Sequence, residues 1–452
     1  MTECNAERSY RLSDVQKQRL ALEAMLGEPS PSWILTGAVI EGVTDLARFH
    51  EVLADLARVY PVLRTTLVTA GTAESWSQHI SSCQDLERGR SPVIALPKVR
   101  SWSELTDAMH ADLTARNPYY RYAAAYGPDE AGRIRVVFLF DHMVSDIRSV
   151  DVVLAHLARN ARDARDDTNP RSCGCGGNEF ADYLERTATV ADTVQLPERY
   201  EWALNLMRAA NSPHAYIDLP LARPMSVANG GGAAGISSRF VTDASRRHSY
   251  TPFAAFVSAL ALSLEAGFRS PAMFYAPTIN RGPAEMESVG WFADTPIMPV
   301  RASQITSAVA GELVLDRVRA TSEAKAATTE TMRDGQALTA LVYNRLSGIL
   351  GSRPPFLDCR PDSLPYLVLG YADRVRERAE WTADGVKIRK VFLPSTVYPP
   401  LLLVPGYIYI RLVRVKKAEW AINSIYEAER YQDGTIKTLI SSMERYLRQL
   451  LG

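Results

Sequence analysis

At 452 residues the chain exceeds the roughly 250–300 residues at which a single core stops growing, so two similar halves are the first expectation. Its 51 basic and 51 acidic side chains cancel, which excludes a protein drawn to nucleic acid or anionic lipid by overall charge. A hydrophobic fraction of 46% beside 23% charged residues excludes the disordered and fibrous classes and supplies enough apolar material for a large core.

In chain order, Met1 to Arg8 is charged with no apolar run behind it, so no secretory signal is expected. Ser13 sits where it can cap a helix running through Gln16 and Leu20. After Thr44, the residues Leu46, Phe49, Val52, Leu53, Leu56 and Ala57 recur at helical spacing and stop before Pro61. Ile134 to Phe140 is apolar apart from Arg135 and reads as a buried strand. Val150, Val153, Leu154 and Leu157 then mark a helix, which makes Asp141 to Ser149 a loop from strand to helix. A charged and Gly-rich surface loop is expected from Arg159 to Gly177.

The first half is expected to give way to the second between Leu184 and Asn229, where Pro220, Pro224 and Asn229-Gly230-Gly231-Gly232 interrupt the pattern. Thr251 and Pro252 open a mostly apolar helix, Ala272 to Thr278 reads as a strand, and Thr435 is placed to cap a last helix with its stripe from Ile436 to Leu451. The uncharged stretch from Val391 to Ile410 is long enough to span a bilayer. Its prolines, from Pro394 to Pro405, and Gly406 make it short strands and turns instead. No repeat, low-complexity tract or transmembrane helix is expected.

Five cysteines, Cys4, Cys83, Cys173, Cys175 and Cys359, are too scattered for a disulfide framework, which points to a reducing cytoplasm. Cys173 and Cys175 lack the further ligands of a structural zinc site. Asn229 to Gly232 lacks the Lys-Ser/Thr of a phosphate loop and reads as a connector. His50, His79, His110, His156, His214 and His248 share no spacing and are expected at the surface.

The loop after Phe140 carries the chemistry. A side chain at a strand terminus is both rigidly held and accessible, and His142 there is a candidate general base. A tight turn would direct Asp146 inward, where a buried carboxylate needs a cation; an Arg from elsewhere in the chain fits best.

Asp141-His142-Met143-Val144-Ser145-Asp146 resembles the HHxxxDG signature of the condensation domains of nonribosomal peptide synthetases, members of the chloramphenicol acetyltransferase-like superfamily. Other segments resemble that family's blocks in its order. Leu12 to Leu20 is similar to SxxQxRL, Tyr60 to Thr65 to RHxxLRT, and Phe180 to Tyr183 to YxDYA. Thr251-Pro252-Phe253 resembles TPF, Ser288 to Thr295 resembles VGxFVNT, and Ser352 to Phe356 loosely resembles a late NPLF-like block. Ile425 to Leu451 looks like the closing strand and helix.

The resemblance implies an α/β fold of two chloramphenicol acetyltransferase-like lobes, a V-shaped pseudo-dimer with a central tunnel. Residues 1–190 would form the N-terminal lobe with the HxxxD loop, and residues 191–452 the C-terminal lobe with crossover and hinge segments. It implies an enzyme that transfers an acyl or aminoacyl group from a carrier-protein thioester to an amine, or a hydroxyl, giving an amide or ester. His142 matches the catalytic histidine, and Asp146 the structural aspartate paired with Arg281. Gly290, Trp291 and Asp294 fall in the hinge block, and Ile147 stands at the signature's final Gly. The substrate would arrive as a phosphopantetheine thioester on a separate carrier protein, loaded elsewhere and acting in trans, with no metal or organic cofactor and no nucleic acid or membrane partner.

This sequence also departs from the pattern. Asp141 replaces the first histidine, Ile147 the final Gly and Asp294 the hinge Asn, and the stretch from Phe240 to Thr251 is short. A β-branched Ile narrows the space at a Gly position and resists positive φ. Asp141, Asp146 and Ser149 also spell DxxxxDxxS, similar to heterocyclization domains, which makes Asp141 a further catalytic candidate. The broken signature leaves room for a third reading, a condensation-like docking module without chemistry.

Overall fold

The computed structural model describes residues 8–13, 16–17, 20, 33–68, 76–88, 91–113, 120–161, 179–191, 195, 197–209, 227–230, 236–237, 251–268, 272–275, 278–279, 281–294, 297–300, 306–309, 312–315, 322–330, 366–372, 380–391, 393, 407–416, 419–427 and 433–451. Expectations for Cys173 and Cys175, Gly231 and Gly232, the short stretch before Thr251, Ser352 to Phe356 and Pro394 to Pro405 lie outside the described residues.

Two compact units divide the chain. The first comprises Met1–Thr187, Arg281–Ala293 and Arg378–Leu402; the second comprises Ala188–Asn280, Asp294–Glu377 and Leu403–Gly452. Two stretches of the region 191–452 are therefore built into the first unit, and one of them brings Arg281.

The first unit is organised on a six-stranded sheet in the order Glu380–Ala383, Val386–Val391, Trp33–Glu41, Ile134–Asp141, Tyr122–Pro128, Val93–Ala95. All neighbours are antiparallel except the last pair. Side chains alternate across a strand, so Val136, Phe138 and Phe140 enter one hydrophobic cluster with Phe49, Val150 and Leu154. Val137 and Leu139 enter another, with Leu105 and Met109 of the helix Trp102–Leu113. Covered on both faces, the strand reads as an almost unbroken apolar run.

The turn Asp384-Gly385 closes the hairpin from the distant C-terminal region, both residues having positive φ (48° and 80°). That conformation matches the strand twist and suits Asp-Gly. Gly42, with φ of 87°, packs so closely that a Cβ there would lie 2.2 Å from the Gly385 carbonyl oxygen. Lys390, almost fully buried, donates from Nζ to Asp151 Oδ1 at 2.8 Å, tying the hairpin to the helix Ile147–Asn160.

A second sheet carries the second unit, in the order Ile297–Val300, Ala272–Tyr275, Tyr366–Ala372, Tyr407–Lys416, Glu419–Glu427, Val227–Gly230. Two helices, Pro252–Phe268 and Asp433–Leu451, pack against one another. Thr251 caps the first through its Oγ1, which accepts from the Ala254 N–H at 3.1 Å.

Several boundaries differ from expectation. The loop expected over Asp141 to Ser149 shrinks to residues 142–146, because pairing with Trp33 extends the strand to Asp141 and capping starts the helix at Ile147. The last helix begins at Asp433, so Thr435 lies inside it. Asn229 and Gly230 are an edge strand against Ile425 and Ser424, where a connector was expected. Among the described residues, no helix is long and apolar enough to cross a membrane.

Candidate active site

The site begins with Asp146. Its carboxylate caps the helix Ile147–Asn160, Oδ1 accepting from the Ser149 N–H at 2.8 Å. The Ser149 hydroxyl returns the favour by accepting from the Asp146 N–H at 3.2 Å, which completes a capping box. Arg281 then approaches with Nη2 2.7 Å from Oδ1 and Nε 3.3 Å from Oδ2. Both side chains are 1% exposed.

Such a pair is costly unless its remaining donors and acceptors are filled, and here they are. Arg281 Nη1 donates to the carbonyls of Glu285 and Ser288, each at 2.6 Å. The Phe292 N–H donates to Asp146 Oδ2 at 3.2 Å. The guanidinium lies 4.2 Å from the centre of the Phe292 ring, which packs edge-on against Phe180 and Tyr183. Both carboxylate oxygens of Asp146 are thus engaged, Oδ1 by Ser149 and Arg281 and Oδ2 by Arg281 and Phe292.

Gly290 completes this clamp. Its N–H donates to Ser149 Oγ at 3.1 Å, and a Cβ there would come within 2.6 Å of Phe292 and 2.8 Å of Phe180. Only the smallest residue lets the hinge segment lie this close.

Asp141 is also engaged. Its Oδ1 accepts from the Met143 N–H at 2.9 Å, and its Oδ2 faces Arg121 Nη1 at 3.1 Å. Arg121 is itself anchored, donating from Nε to the Thr65 carbonyl at 2.6 Å. On the opposite side of the turn, the fully buried Gln16 donates from Nε2 to the Met143 carbonyl at 2.6 Å. Sequence reading missed Arg121 and the role of Gln16. Gln16 is identifiable from its place in the opening block, whereas Arg121 has no local signature.

Between these anchors stands His142, half-buried, with its ring centre 4.7 Å from that of Trp291 and the planes tilted by 48°. Ile147 opens the helix and is 49% exposed. Its backbone is outside the positive-φ region, so the expected conflict with a Gly conformation does not arise. Asp294 ends a short strand, Ala293–Asp294; its side chain lies outside the described residues.

Of the histidines expected at the surface, His50, His79 and His156 are each half-buried, and the side chains of His110, His214 and His248 lie outside the described residues. His156 packs edge-on against Tyr60, with ring centres 5.6 Å apart. Burial, assisted by Arg159, lowers its pKa to about 4. Among the described residues no cluster of acidic, Cys or His side chains is arranged to hold a metal.

No protein-family model and no curated protein sequence matches the chain. Solved structures do. The condensation domain from monacolin K polyketide synthase MokA aligns with a TM-score of 0.68 at 12% identity, over 98% of this chain and 97% of that one. The epimerization domain from the third module of tyrocidine synthetase B gives 0.66 at 12%, over 99% and 97%. PapA2 acyl transferase gives 0.65 at 13%, over 99% and 94%. The chain has an α/β fold of the condensation-domain type, along essentially its whole length. These neighbours' names record condensation, epimerization and acyl transfer, so the reaction must be argued from the site.

Proposed function

We propose that the chain is a condensation-type acyltransferase, moving an acyl or aminoacyl group from a carrier-protein thioester to an amine or a hydroxyl. The observation that carries this reading is His142, half-exposed on a turn whose neighbours are locked by Asp141, Gln16 and the Asp146–Arg281 clamp. A base held this firmly loses little in orientation when it meets its substrate.

With an amine acceptor, nitrogen bonds to the thioester carbonyl carbon and its proton passes to His142. The tetrahedral intermediate collapses, the C–S bond breaks, and sulfur leaves as the thiol with that proton. The thioester supplies the activation, so the chemistry calls for no metal or organic cofactor. Carrier proteins acting in trans are the partners in this reading. The engagement of Asp141 by Arg121 and the Met143 N–H favours turn-holding over the catalytic role that heterocyclization would assign to it.

The test gives purified protein a loaded donor carrier and a panel of amines and alcohols, following products by mass, with and without His142→Ala. Product from the wild type and a loss of about 100-fold or more in the variant is expected of a general base. Undiminished product in the variant removes the base role. No product with any acceptor supports a docking module, and a product lighter by one further water supports heterocyclization.

A further inference from the structure

Trp291 lies between two residues bound to the HxxxD clamp. Gly290 holds Ser149 through its N–H, and Phe292 holds Asp146 through its own. The backbone of Trp291 is therefore fixed from both sides by the element that carries Asp146. Its indole, partly buried, reaches the His142 imidazole across 4.7 Å. An indole face this close attracts a cation more strongly than it does a neutral ring.

Among the described residues, ion pairs around the turn join Asp141 with Arg121, Asp146 with Arg281, Arg148 with Asp151 and Glu285 with Arg186, while Glu287 lies on the same segment as Trp291. Lys17 follows Gln16 on the N-terminal segment.

We propose that Trp291 is a positioning residue for His142, its indole fixing the imidazole plane and presenting a π face to the cation formed when His142 holds a proton. The proposal rests on the reading of His142 as the base. It deepens that reading by giving the hinge segment a part in the chemistry, since one backbone stretch carries both the arginine that locks Asp146 and the ring that meets His142.

Two readouts test it. A protonated imidazole in contact with indole quenches its fluorescence, and this needs no substrate. The emission of the seven tryptophans is recorded from about pH 5 to about pH 8, the range in which a histidine titrates. Wild type should brighten as pH rises, and both Trp291→Phe and His142→Gln should lose that component. A titration unchanged in either variant, or absent in the wild type, overturns the contact.

Turnover is the second readout. Trp291→Leu should lower kcat by about tenfold or more, the scale expected when a base is misaligned, leave KM nearly unchanged, and be largely rescued in Trp291→Phe. A raised KM with normal kcat would instead make Trp291 a substrate wall and sink the positioning role. Circular dichroism confirms folding, and if the Leu variant does not fold, the fluorescence titration of Trp291→Phe and His142→Gln decides the proposal. Should His142→Ala keep full turnover, the base reading falls by that result alone, and the fluorescence titration still decides whether Trp291 senses the imidazole.

Discussion

Asp146 and Arg281 are separated by 135 positions in the chain and meet at 2.7 Å, each 1% exposed. Their contact binds the hinge segment to the start of the helix Ile147–Asn160 and sets the far end of the His142 turn. Replacing Arg281 by Ala leaves a buried carboxylate facing Ser149 and the Phe292 N–H without its cation. Loss of one partner from such a pair costs about 3–5 kcal/mol. Urea unfolding of Arg281→Ala should therefore show a midpoint far below that of wild type. Asp146→Asn should also be clearly destabilising, because the amide oxygen can still cap the helix but the amide nitrogen would face the Phe292 N–H and Arg281 Nε and leave that cation without its counter-charge.

Asp141 makes a different prediction. In Asp141→Asn the side-chain oxygen still accepts from the Met143 N–H, while the ion pair with Arg121 loses its charge. If the group only shapes the turn, the rate of the proposed transfer falls by less than about tenfold, within the 1.4 kcal/mol that corresponds to one decade of rate. Asp141→Ala removes both contacts and should be clearly slower than Asn. Equal and complete loss in the two variants would make the charge itself catalytic; initial rates with one donor and one acceptor suffice.

The site was largely legible where local chemistry repeats itself. A strand end followed by His142 and Asp146 announces a loop with a candidate base and an inward carboxylate, and resemblance points to Arg281, which the structure places on Asp146, because its block lies in the expected order. The Arg121–Asp141 pair was not legible, since a lone arginine before a strand carries no signal of its partner. The C-terminal hairpin shows a different failure. Trp381 to Ile388 alternates around Asp384-Gly385, a strong hairpin pattern. Its destination, beside Trp33–Glu41, depends on a nonlocal register that no window along the chain contains.

That hairpin gives a stability prediction. Gly42 has φ of 87° and no room for a Cβ beside the Gly385 carbonyl, so Gly42→Ala should cost more than about 1 kcal/mol. Lys390→Met removes the cation from Asp151, which among the described residues keeps a 3.5 Å contact with Arg148. Each variant should lower the midpoint of thermal unfolding, and Lys390→Met paired with Asp151→Leu should recover part of the loss. A double variant no better than the single would show that the pair contributes more than it costs to bury.

His156 gives the protein a pH dependence unrelated to catalysis. Its pKa is lowered from 6.5 to about 4 by burial and then by Arg159, so the unfolded chain binds a proton that the folded chain refuses between those values. Stability must therefore fall as pH drops from about 6.5 toward about 4 and level off below. The shift corresponds to roughly 3 kcal/mol at most, reduced by solvent screening at the partly exposed ring. His156→Gln removes the titrating group and should flatten this portion of the stability curve while leaving the plateau above neutrality nearly unchanged in slope. Urea midpoints measured at half-unit steps of pH check it, and a slope that survives the substitution assigns the effect to another group.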